Sequence, residues 1–171
     1  MPSSAGRPET CGADVPEPPF PVRLDGIVGR GFGRGGKQLN CPTANLPAAL
    51  LDADAAGAAL RETGVYFGFA QVLAFAGASV DRGVYPMVMS VGWNPTFMNK
   101  EKSIEVHVMH AYDEDFYGDE MRVIVLGYMR PEFAFTTLDA LVSEIETDKR
   151  VGKNSLARHA YEAYQKDPFF A

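Results

Sequence analysis

The chain has little of what secreted, membrane-spanning or nucleic-acid-binding proteins require. Two cysteines in 171 residues are too few for a disulfide framework and fit a reducing compartment. No apolar run reaches the length of a transmembrane helix, and the N-terminus lacks the hydrophobic segment of a secretory signal. An excess of positive charge is also missing: the net charge is −6, which argues against nucleic acid or an anionic membrane as the main partner. We expect a cytoplasmic protein that binds neither.

The remaining composition is that of an ordinary globular domain, with 46% hydrophobic and 22% charged residues. A chain of this length suits one domain with a sizeable core. Residues 1–19 differ from the rest because they hold five of the twelve prolines and few large apolar side chains. We interpret residues 1–19 as a disordered tail and residues 20–171 as the domain.

Strand patterns dominate the middle of the chain. Segments rich in β-branched and aromatic residues are predicted to be strands: residues 22–28, 65–73, 85–91, 103–110 and 121–129. In residues 103–110 the alternation is strict, with Ile104, Val106 and Val108 on one face and Glu105, His107 and Met109 on the other. Short turns without intervening helices indicate an antiparallel barrel or sandwich.

Two helices are predicted at the C-terminal end, where they would cover the open end or side of the barrel. The first has apolar residues at helical spacing, Leu138, Leu141, Val142 and Ile145. Thr136 and Asp139 are spaced as in a capping box before it. The second is predicted to run from Asn154, as its N-cap, to Gln165.

The segment GRGFGRGGKQLNCPTANLP, residues 29–47, matches two nucleotide-binding signatures. GxGxxG is satisfied by Gly31, Gly33 and Gly36, and GxxxxGK also fits. Both motifs need a helix after the glycines, and the prolines that follow exclude one. Gln38 also stands where a Walker A loop needs Ser or Thr. Neither standard nucleotide-binding fold is therefore supported.

The same segment is locally basic. Residues 22–45 hold four cations and one anion, a local charge of +3. A flexible glycine loop with basic residues can wrap a polyphosphate through its backbone N–H groups. The alternative is that the glycines only make tight turns and the cations face solvent. Five glycines among residues 29–36, beside three cations, favour the phosphate interpretation.

Thr43 and Asn45 are two residues apart in an extended segment, so their side chains point to the same side. A hydroxyl and an amide oxygen can complete a magnesium shell together with phosphate oxygens and waters. A Pro-Thr turn in which the asparagine bonds its own backbone explains the same residues. The spacing alone leaves both interpretations open.

Glu105 lies in mid-strand on the face opposite the apolar row. Its position gives the direction of the carboxylate but not its role, and carboxylates on such faces are usually solvated. His107 shares that face, but single histidines are more often structural. His107 and His110 are three residues apart, so on a strand they diverge and make a poor metal pair.

Taken together, these motifs resemble those of the riboflavin kinase family. The run from Gly26 to Asn45 is similar to the family's opening motif. Five later segments agree in order: GVYFG (64–68), MVMSVGWNPTF (87–97), KSIEVHVMH (102–110), DFYGDEMRV (115–123) and GYMRPE (127–132). The resemblance covers roughly residues 22–150, and six motifs in the same order are a specific signal.

The resemblance implies transfer of the γ-phosphoryl group of ATP to the 5′-hydroxyl of riboflavin, giving FMN and ADP. It implies a mainly β fold, a six-stranded antiparallel Greek-key barrel with C-terminal helices. It also implies Mg²⁺ as the metal, with Zn²⁺ or Mn²⁺ as alternatives. Some relatives carry an additional adenylyltransferase domain, for which this chain has no room. We therefore expect a monofunctional kinase of the eukaryotic type, acting as a monomer.

Matched positions also suggest roles for individual residues. Glu105 corresponds to the family's catalytic carboxylate, and Thr43 and Asn45 to its metal-binding positions. The nucleotide-binding positions are Gly31, Gly33, Arg34, Lys37, Thr43, His110, Phe116 and Tyr117. The flavin-binding positions are Trp93, Asn94, Arg130 and Phe135, with Phe133 near the same crevice.

Two other classes of function remain as alternatives. A non-catalytic flavin or nucleotide carrier would keep the glycine loop but would not need a carboxylate at Glu105. A nucleic-acid-binding barrel would interleave aromatic residues with cations, whereas here the cations cluster in one loop of an acidic chain. Glu105 together with an intact PTAN motif favours the enzyme.

Overall fold

The computed structural model describes residues 6–29, 43–52, 54–73, 81–93, 102–112 and 116–171. Within these ranges lie six strands: β1 Val22–Ile27, β2 Thr43–Leu46, β3 Gly64–Leu73, β4 Val84–Gly92, β5 Ser103–Val108 and β6 Glu120–Arg130. The same residues form three α-helices: α1 Asp54–Ala59, α2 Leu138–Leu156 and α3 His159–Glu162. The 3₁₀ turns among the described residues are Ala48–Asp52, Ala163–Lys166 and Pro168–Phe170.

The strands form one curled sheet in the order β1-β6-β3-β4-β5-β2, and each neighbouring pair is antiparallel. Strands β3, β4 and β5 are consecutive neighbours, and β6 returns to lie beside β3, which is the Greek-key arrangement. The two edges of the sheet meet at one bridge, where the backbone N–H of Gly29 donates to the carbonyl of Asn45 over 2.9 Å. The predicted antiparallel Greek-key architecture is confirmed.

Side chains alternate between the two faces of the sheet, and the apolar ones form two separate cores. Inside the curl lie the apolar side chains of one face of each strand, among them Tyr66, Ala70 and Val72 of β3 and Ile104, Val106 and Val108 of β5. The opposite face of β3 carries Phe67 and Phe69, which pack beneath the C-terminal helices with Leu156, Tyr161 and Phe170. Strand β3 is therefore buried on both faces, and the helices cover the side of the sheet.

Phe67 lies where the N-terminal segment, β3, β6 and α3 meet. It is fully buried, and its ring lies 5.7 Å from that of Tyr161, centroid to centroid. The ring occupies the space beside Gly127, where a Cβ would lie 2.5 Å from it. A Cβ on Gly12 would lie 3.2 Å from the same ring. Two glycines thus make room for one phenylalanine.

Helix α2 differs from the sequence prediction at both ends. Its N-cap is Thr137, which accepts a hydrogen bond from the backbone of Ala140 over 3.1 Å, and not Thr136. The start of the second predicted helix, Asn154, is wrong because Asn154 lies inside α2; the helical structure within the predicted range is α3, from His159, and the 3₁₀ turn from Ala163. The side-chain nitrogen of Asn154 donates to the carbonyl of Glu9 over 3.2 Å and caps no helix. No helix in the described part of the chain is long and apolar enough to cross a membrane.

Residues 6–19 contact the C-terminal helices, contrary to the disordered tail predicted there. The N–H of Cys11 donates to Oγ of Ser155 over 2.9 Å. Arg158 donates to the carbonyls of Cys11 and Gly12 at 2.6 and 3.2 Å. The hydroxyl of Tyr161 donates to the carbonyl of Ala13 over 2.6 Å. Polar side chains of the C-terminal helices thus form hydrogen bonds with backbone groups of the N-terminal segment, which has few apolar side chains of its own.

Candidate active site

A strip of polar side chains crosses β2, β5 and β4 on the outer face of the sheet. Asn45 on β2 lies directly opposite Glu105 on β5, and Glu105 lies directly opposite Ser90 on β4. Thr43 lies opposite His107, one pair along. Directly opposed residues have Cβ atoms about 4.5–5.5 Å apart. The register therefore places the predicted carboxylate directly opposite Asn45 and diagonally across from Thr43.

The donor atoms of this strip suit a hard cation. Thr43 and Asn45 offer a hydroxyl and an amide oxygen, and both side chains are only partly buried. Mg²⁺ prefers oxygen ligands and keeps several waters or substrate phosphate oxygens. Among the residues that the structure describes, no group of three or more His, Cys, Asp and Glu residues gathers as a metal site. One hydroxyl and one amide oxygen fit a cation whose other ligands are phosphate oxygens and waters.

The start of the glycine segment is fixed beside this strip. Gly29 is bonded to the carbonyl of Asn45, as described above. The N–H of Val28 donates to the carbonyl of Asp119 over 2.9 Å, and the N–H of Gly118 donates to the carbonyl of Val28 over 2.8 Å. Residues 116–119 are thus tied to the base of the loop. The predicted nucleotide-binding residues Gly31, Gly33, Arg34 and Lys37 lie outside the described residues.

An aromatic cluster gathers two of the other residues predicted to bind the nucleotide. The ring of His110 stacks on Tyr85, with centroids 3.7 Å apart and an interplanar angle of 6°. Tyr112 meets the ring of His110 edge-on at 4.8 Å and that of Phe116 at 4.9 Å. Tyr117, in contrast, is exposed on the adjoining turn. The structure therefore brings His110 and Phe116 together through Tyr112, which the sequence reasoning missed.

Asp81 completes the aromatic cluster on its polar side. It accepts hydrogen bonds from the hydroxyl of Tyr85 and from the backbone of Gly83, and Nε2 of His110 lies 2.9 Å away. These interactions, led by the hydrogen bond from Tyr85, lower the pKa of the Asp81 carboxyl below its usual value. Burial raises the pKa of the Tyr112 hydroxyl, which has no hydrogen-bond partner among the described residues. The cluster thus presents flat rings beside a carboxylate that stays ionised.

Arg130 and Phe135, two of the predicted flavin-binding residues, lie next to each other. The guanidinium of Arg130 is 6.0 Å from the ring centre of Phe135 and 5.8 Å from that of Phe133. Its Nε and Nη2 donate to the two oxygens of Asp148 at 2.8 and 2.7 Å. Asp148 was also missed, because a single acidic residue in an amphipathic helix predicts a solvent-facing position.

Trp93 lies at the end of β4, and 48% of its surface is exposed. The Nζ of Lys102 is 5.8 Å from its ring centre. The adjoining Gly92 has φ +155°, and a Cβ there would lie 2.5 Å from the carboxylate of Glu132. Gly92, next to Trp93, is therefore in close contact with Glu132, two residues after Arg130. Asn94, also predicted to bind flavin, lies outside the described residues.

His107, on β5, is buried, and the charges of Asp148 and Lys149 on α2 act on it. Desolvation lowers its pKa to about 4, although the charge of Asp148 acts in the opposite direction. The imidazole is therefore neutral at pH 7. It lies one register pair from Glu105 on the same face of the sheet.

Comparisons with known proteins agree with this arrangement. A family model described as riboflavin kinase matches residues 18–156. The chain is 39% identical over 180 residues to riboflavin kinase of Scheffersomyces stipitis, covering 93% of this chain and 98% of that one. It is 43% identical over 151 residues to riboflavin kinase of Homo sapiens, covering 88% and 91%. The crystal structure of riboflavin kinase from Trypanosoma brucei, 24% identical, superposes with a TM-score of 0.70 over 91% of this chain and 89% of that one; this likeness shows the fold.

Proposed function

The chain belongs to the riboflavin kinase family, which uses ATP to phosphorylate riboflavin to FMN, and from this premise we propose how its residues divide that reaction. The observation that carries the proposal is the register that places Glu105 directly opposite Asn45. Phosphoryl transfer demands mainly alignment of the reactants and neutralisation of charge. The polar strip offers the carboxylate of Glu105 for proton transfer. It also offers the side-chain oxygens of Thr43 and Asn45 on the neighbouring strand β2.

Glu105 acts as the general base. Its carboxylate accepts the proton of the riboflavin 5′-hydroxyl as that oxygen attacks the γ-phosphorus of ATP. Its place in the middle of β5, between β2 and β4, supports the role because the flanking strands hold the backbone in register. A base on a strand is positioned more rigidly than one on a loop.

Thr43 and Asn45 would hold a divalent cation through their side-chain oxygens, and such a cation would supply positive charge that neutralises the β- and γ-phosphates. An all-oxygen donor pair suits Mg²⁺ or Mn²⁺, whereas Zn²⁺ favours nitrogen and sulfur ligands. Lys37, by its match to the family motif, adds positive charge to the same phosphates. Gly29, where the glycine segment begins, is bonded to Asn45.

The adenine ring of ATP and the flavin ring of riboflavin occupy separate aromatic surfaces. The adenine ring stacks against the cluster of Tyr85, His110, Tyr112 and Phe116, whose rings already contact one another. The flavin ring binds where Arg130 and Phe135 meet and where Trp93 is exposed. Large aromatic surfaces with a few fixed polar groups are typical of such sites.

The test is FMN formation from riboflavin and Mg-ATP, followed by chromatography of the flavins. The wild-type protein should produce FMN, and Glu105→Gln should lower kcat by about 10²–10⁴-fold, since that is the usual contribution of general-base catalysis. Its affinity for Mg-ADP should change little, because the substitution conserves shape. Glu146→Gln, which removes an exposed carboxylate of α2, serves as the matched control and should retain full turnover.

Two outcomes would contradict the proposal in different ways. Wild-type turnover by Glu105→Gln would remove Glu105 from the mechanism. Tight binding of flavin and nucleotide by the wild-type protein without any FMN would point instead to a carrier.

A further inference from the structure

Four charged side chains form a network that includes Arg130, one of the residues proposed to bind flavin. The other three are Arg7, Glu144 and Asp148. Nη1 of Arg7 donates to Oε1 of Glu144 over 2.6 Å and to Oδ1 of Asp148 over 2.8 Å. Arg130 holds both oxygens of the same Asp148. The side chains are little exposed: 15% for Arg7, 4% for Glu144, 2% for Asp148 and 11% for Arg130. Two cations thus balance two anions with little solvent between them.

Arg7 lies before the residues that the family model matches, which begin at residue 18. It is brought to α2 by the segment that Ser155, Arg158 and Tyr161 hold through Cys11, Gly12 and Ala13. The network therefore links a segment outside the family core to a residue of the flavin site.

The charges in this network depend on one another. Glu144 and Asp148 are four residues apart on α2, so they lie on the same face of the helix and repel each other. With Arg7 present, Glu144 has its own cation and Arg130 can keep both nitrogens on Asp148. Without Arg7, one guanidinium faces two buried carboxylates and is attracted by both. The two-point contact between Arg130 and Asp148 would then no longer fix the orientation of the guanidinium.

We propose that Arg7 is a positioning residue for flavin binding, which acts by neutralising Glu144 so that Arg130 stays locked on Asp148 in the orientation that the flavin requires. The inference rests on the flavin-binding role proposed for Arg130. Arg7 itself touches Glu144 and Asp148, and its influence on the flavin passes through Arg130.

The kinetic test separates positioning from stability. Arg7→Gln should raise KM for riboflavin on the order of tenfold, since small misplacements of a binding group have effects of up to about 100-fold. The KM for ATP should stay unchanged, because Thr43 lies on β2 and His110 and Phe116 lie between β5 and β6, whereas the network joins the N-terminal segment, the end of β6 and α2. Arg7→Lys should retain most of the riboflavin affinity, because a single nitrogen of Arg7 makes both contacts. The double variant Arg7→Gln/Glu144→Gln should also recover it, because the charge balance is restored.

The matched control is Arg158→Gln. It removes two contacts of the same N-terminal segment, at Cys11 and Gly12, while Ser155 and Tyr161 still hold that segment, so that Arg7 and the carboxylates of α2 stay in place. It should lower Tm without changing KM for riboflavin. Equal increases in KM for Arg7→Gln and Arg158→Gln would overturn the proposal, and so would a normal KM in Arg7→Gln or failure of the double variant to recover. If Arg7→Gln did not fold, an increase in the riboflavin KM of Arg7→Lys or of the double variant would still overturn the proposal.

A failure of this inference is distinguishable from a failure of the proposed function. Normal FMN synthesis in all variants with an unaltered KM would refute only the role of Arg7. Absence of FMN synthesis by the wild-type protein would refute the proposed reaction. In that case the quenching of riboflavin fluorescence would report flavin affinity directly, and an affinity equal in Arg7→Gln and wild type would overturn the positioning role as well.

Discussion

Replacing Asp148 by asparagine tests how much the buried ionic network contributes to the stability of the fold. The substitution conserves the size of the side chain and removes one negative charge. In the wild-type structure, Asp148 accepts three hydrogen bonds from Arg7 and Arg130. Asparagine can accept at one oxygen only, and its amide nitrogen would face donors. Two guanidinium groups would then share Glu144 as their remaining partner in the network.

The expected loss follows from burial. Removing one partner of a buried ion pair costs about 3–5 kcal/mol, because the other charge stays buried without compensation. Arg7 and Arg130 keep 15% and 11% of their side-chain surface exposed, which places the expected value near the lower limit, about 3 kcal/mol. For a chain of 150–250 residues, 1 kcal/mol corresponds to about 2–4 °C in Tm, so Tm should fall by about 6–12 °C.

Thermal unfolding followed by circular dichroism at pH 7 measures this loss. Glu146→Gln is the control, because it removes a charge of the same sign from the same helix. Its carboxylate pairs with Lys149 over 2.6 Å but is 54% exposed, and exposed pairs contribute at most about 1 kcal/mol. If Asp148→Asn and Glu146→Gln melted at the same temperature, the network would contribute no more than a surface pair. The charge argument for Arg7 would then lose its basis.

Three further predictions concern the site and its surroundings. Thr43→Val should weaken Mg-ADP binding more than riboflavin binding, measured by calorimetry, because only a hydroxyl is lost at nearly constant volume; an unchanged Mg-ADP affinity would remove Thr43 from the metal site. The pKa of His107, lowered to about 4 from an unfolded value near 6.5, means that the unfolded state takes up the proton first. Stability should therefore be lost as pH falls from about 6.5 toward 4, by roughly 2 kcal/mol at pH 5, and His107→Leu should show a flatter profile of Tm against pH; equal slopes would contradict this. Trp93 should become less accessible to a collisional quencher when Mg-ADP and a flavin bind together, and equal accessibility in the free and liganded protein would indicate a preformed site.

Five of the six strands described could be predicted because their residues are β-branched, aromatic or otherwise apolar, and in β5 these residues also alternate with polar ones; β2 was predicted only as an extended segment. In β5 the apolar residues Ile104, Val106 and Val108 face the core, so the direction of Glu105 followed from the sequence alone. The pairing of Glu105 with Asn45 did not follow, because β2 and β5 are far apart in the chain and no local pattern sets their register. The resemblance of motifs suggested both residues, and the register shows that they meet.

The remaining differences share a physical cause. Residues 7–13 have the composition of a disordered segment, yet side chains of Ser155, Arg158 and Tyr161 bind their backbone. Such contacts leave no trace in hydrophobic periodicity. Asn154 is a good N-cap by type, but its partner is the carbonyl of Glu9. Polar contacts between residues far apart in the chain determine both the order of residues 7–13 and the position of Asn154. Local sequence propensity contains no information on such contacts.

The packing around Phe67 has a consequence for how sequences of this fold can diverge. Because its ring fills the space left by Gly127, the sizes of residues 67 and 127 cannot drift independently. A larger residue at 127 becomes acceptable only after position 67 has become smaller. Gly12 differs, because its φ of +77° strains any residue with a side chain and a Cβ there would also lie 3.1 Å from the hydroxyl of Tyr161. Strands β3 and β6 are therefore expected to covary in size at positions 67 and 127, whereas position 12 is expected to stay glycine. A chimera that exchanges β6 between relatives would keep its packing only if the residues at 67 and 127 came from the same parent.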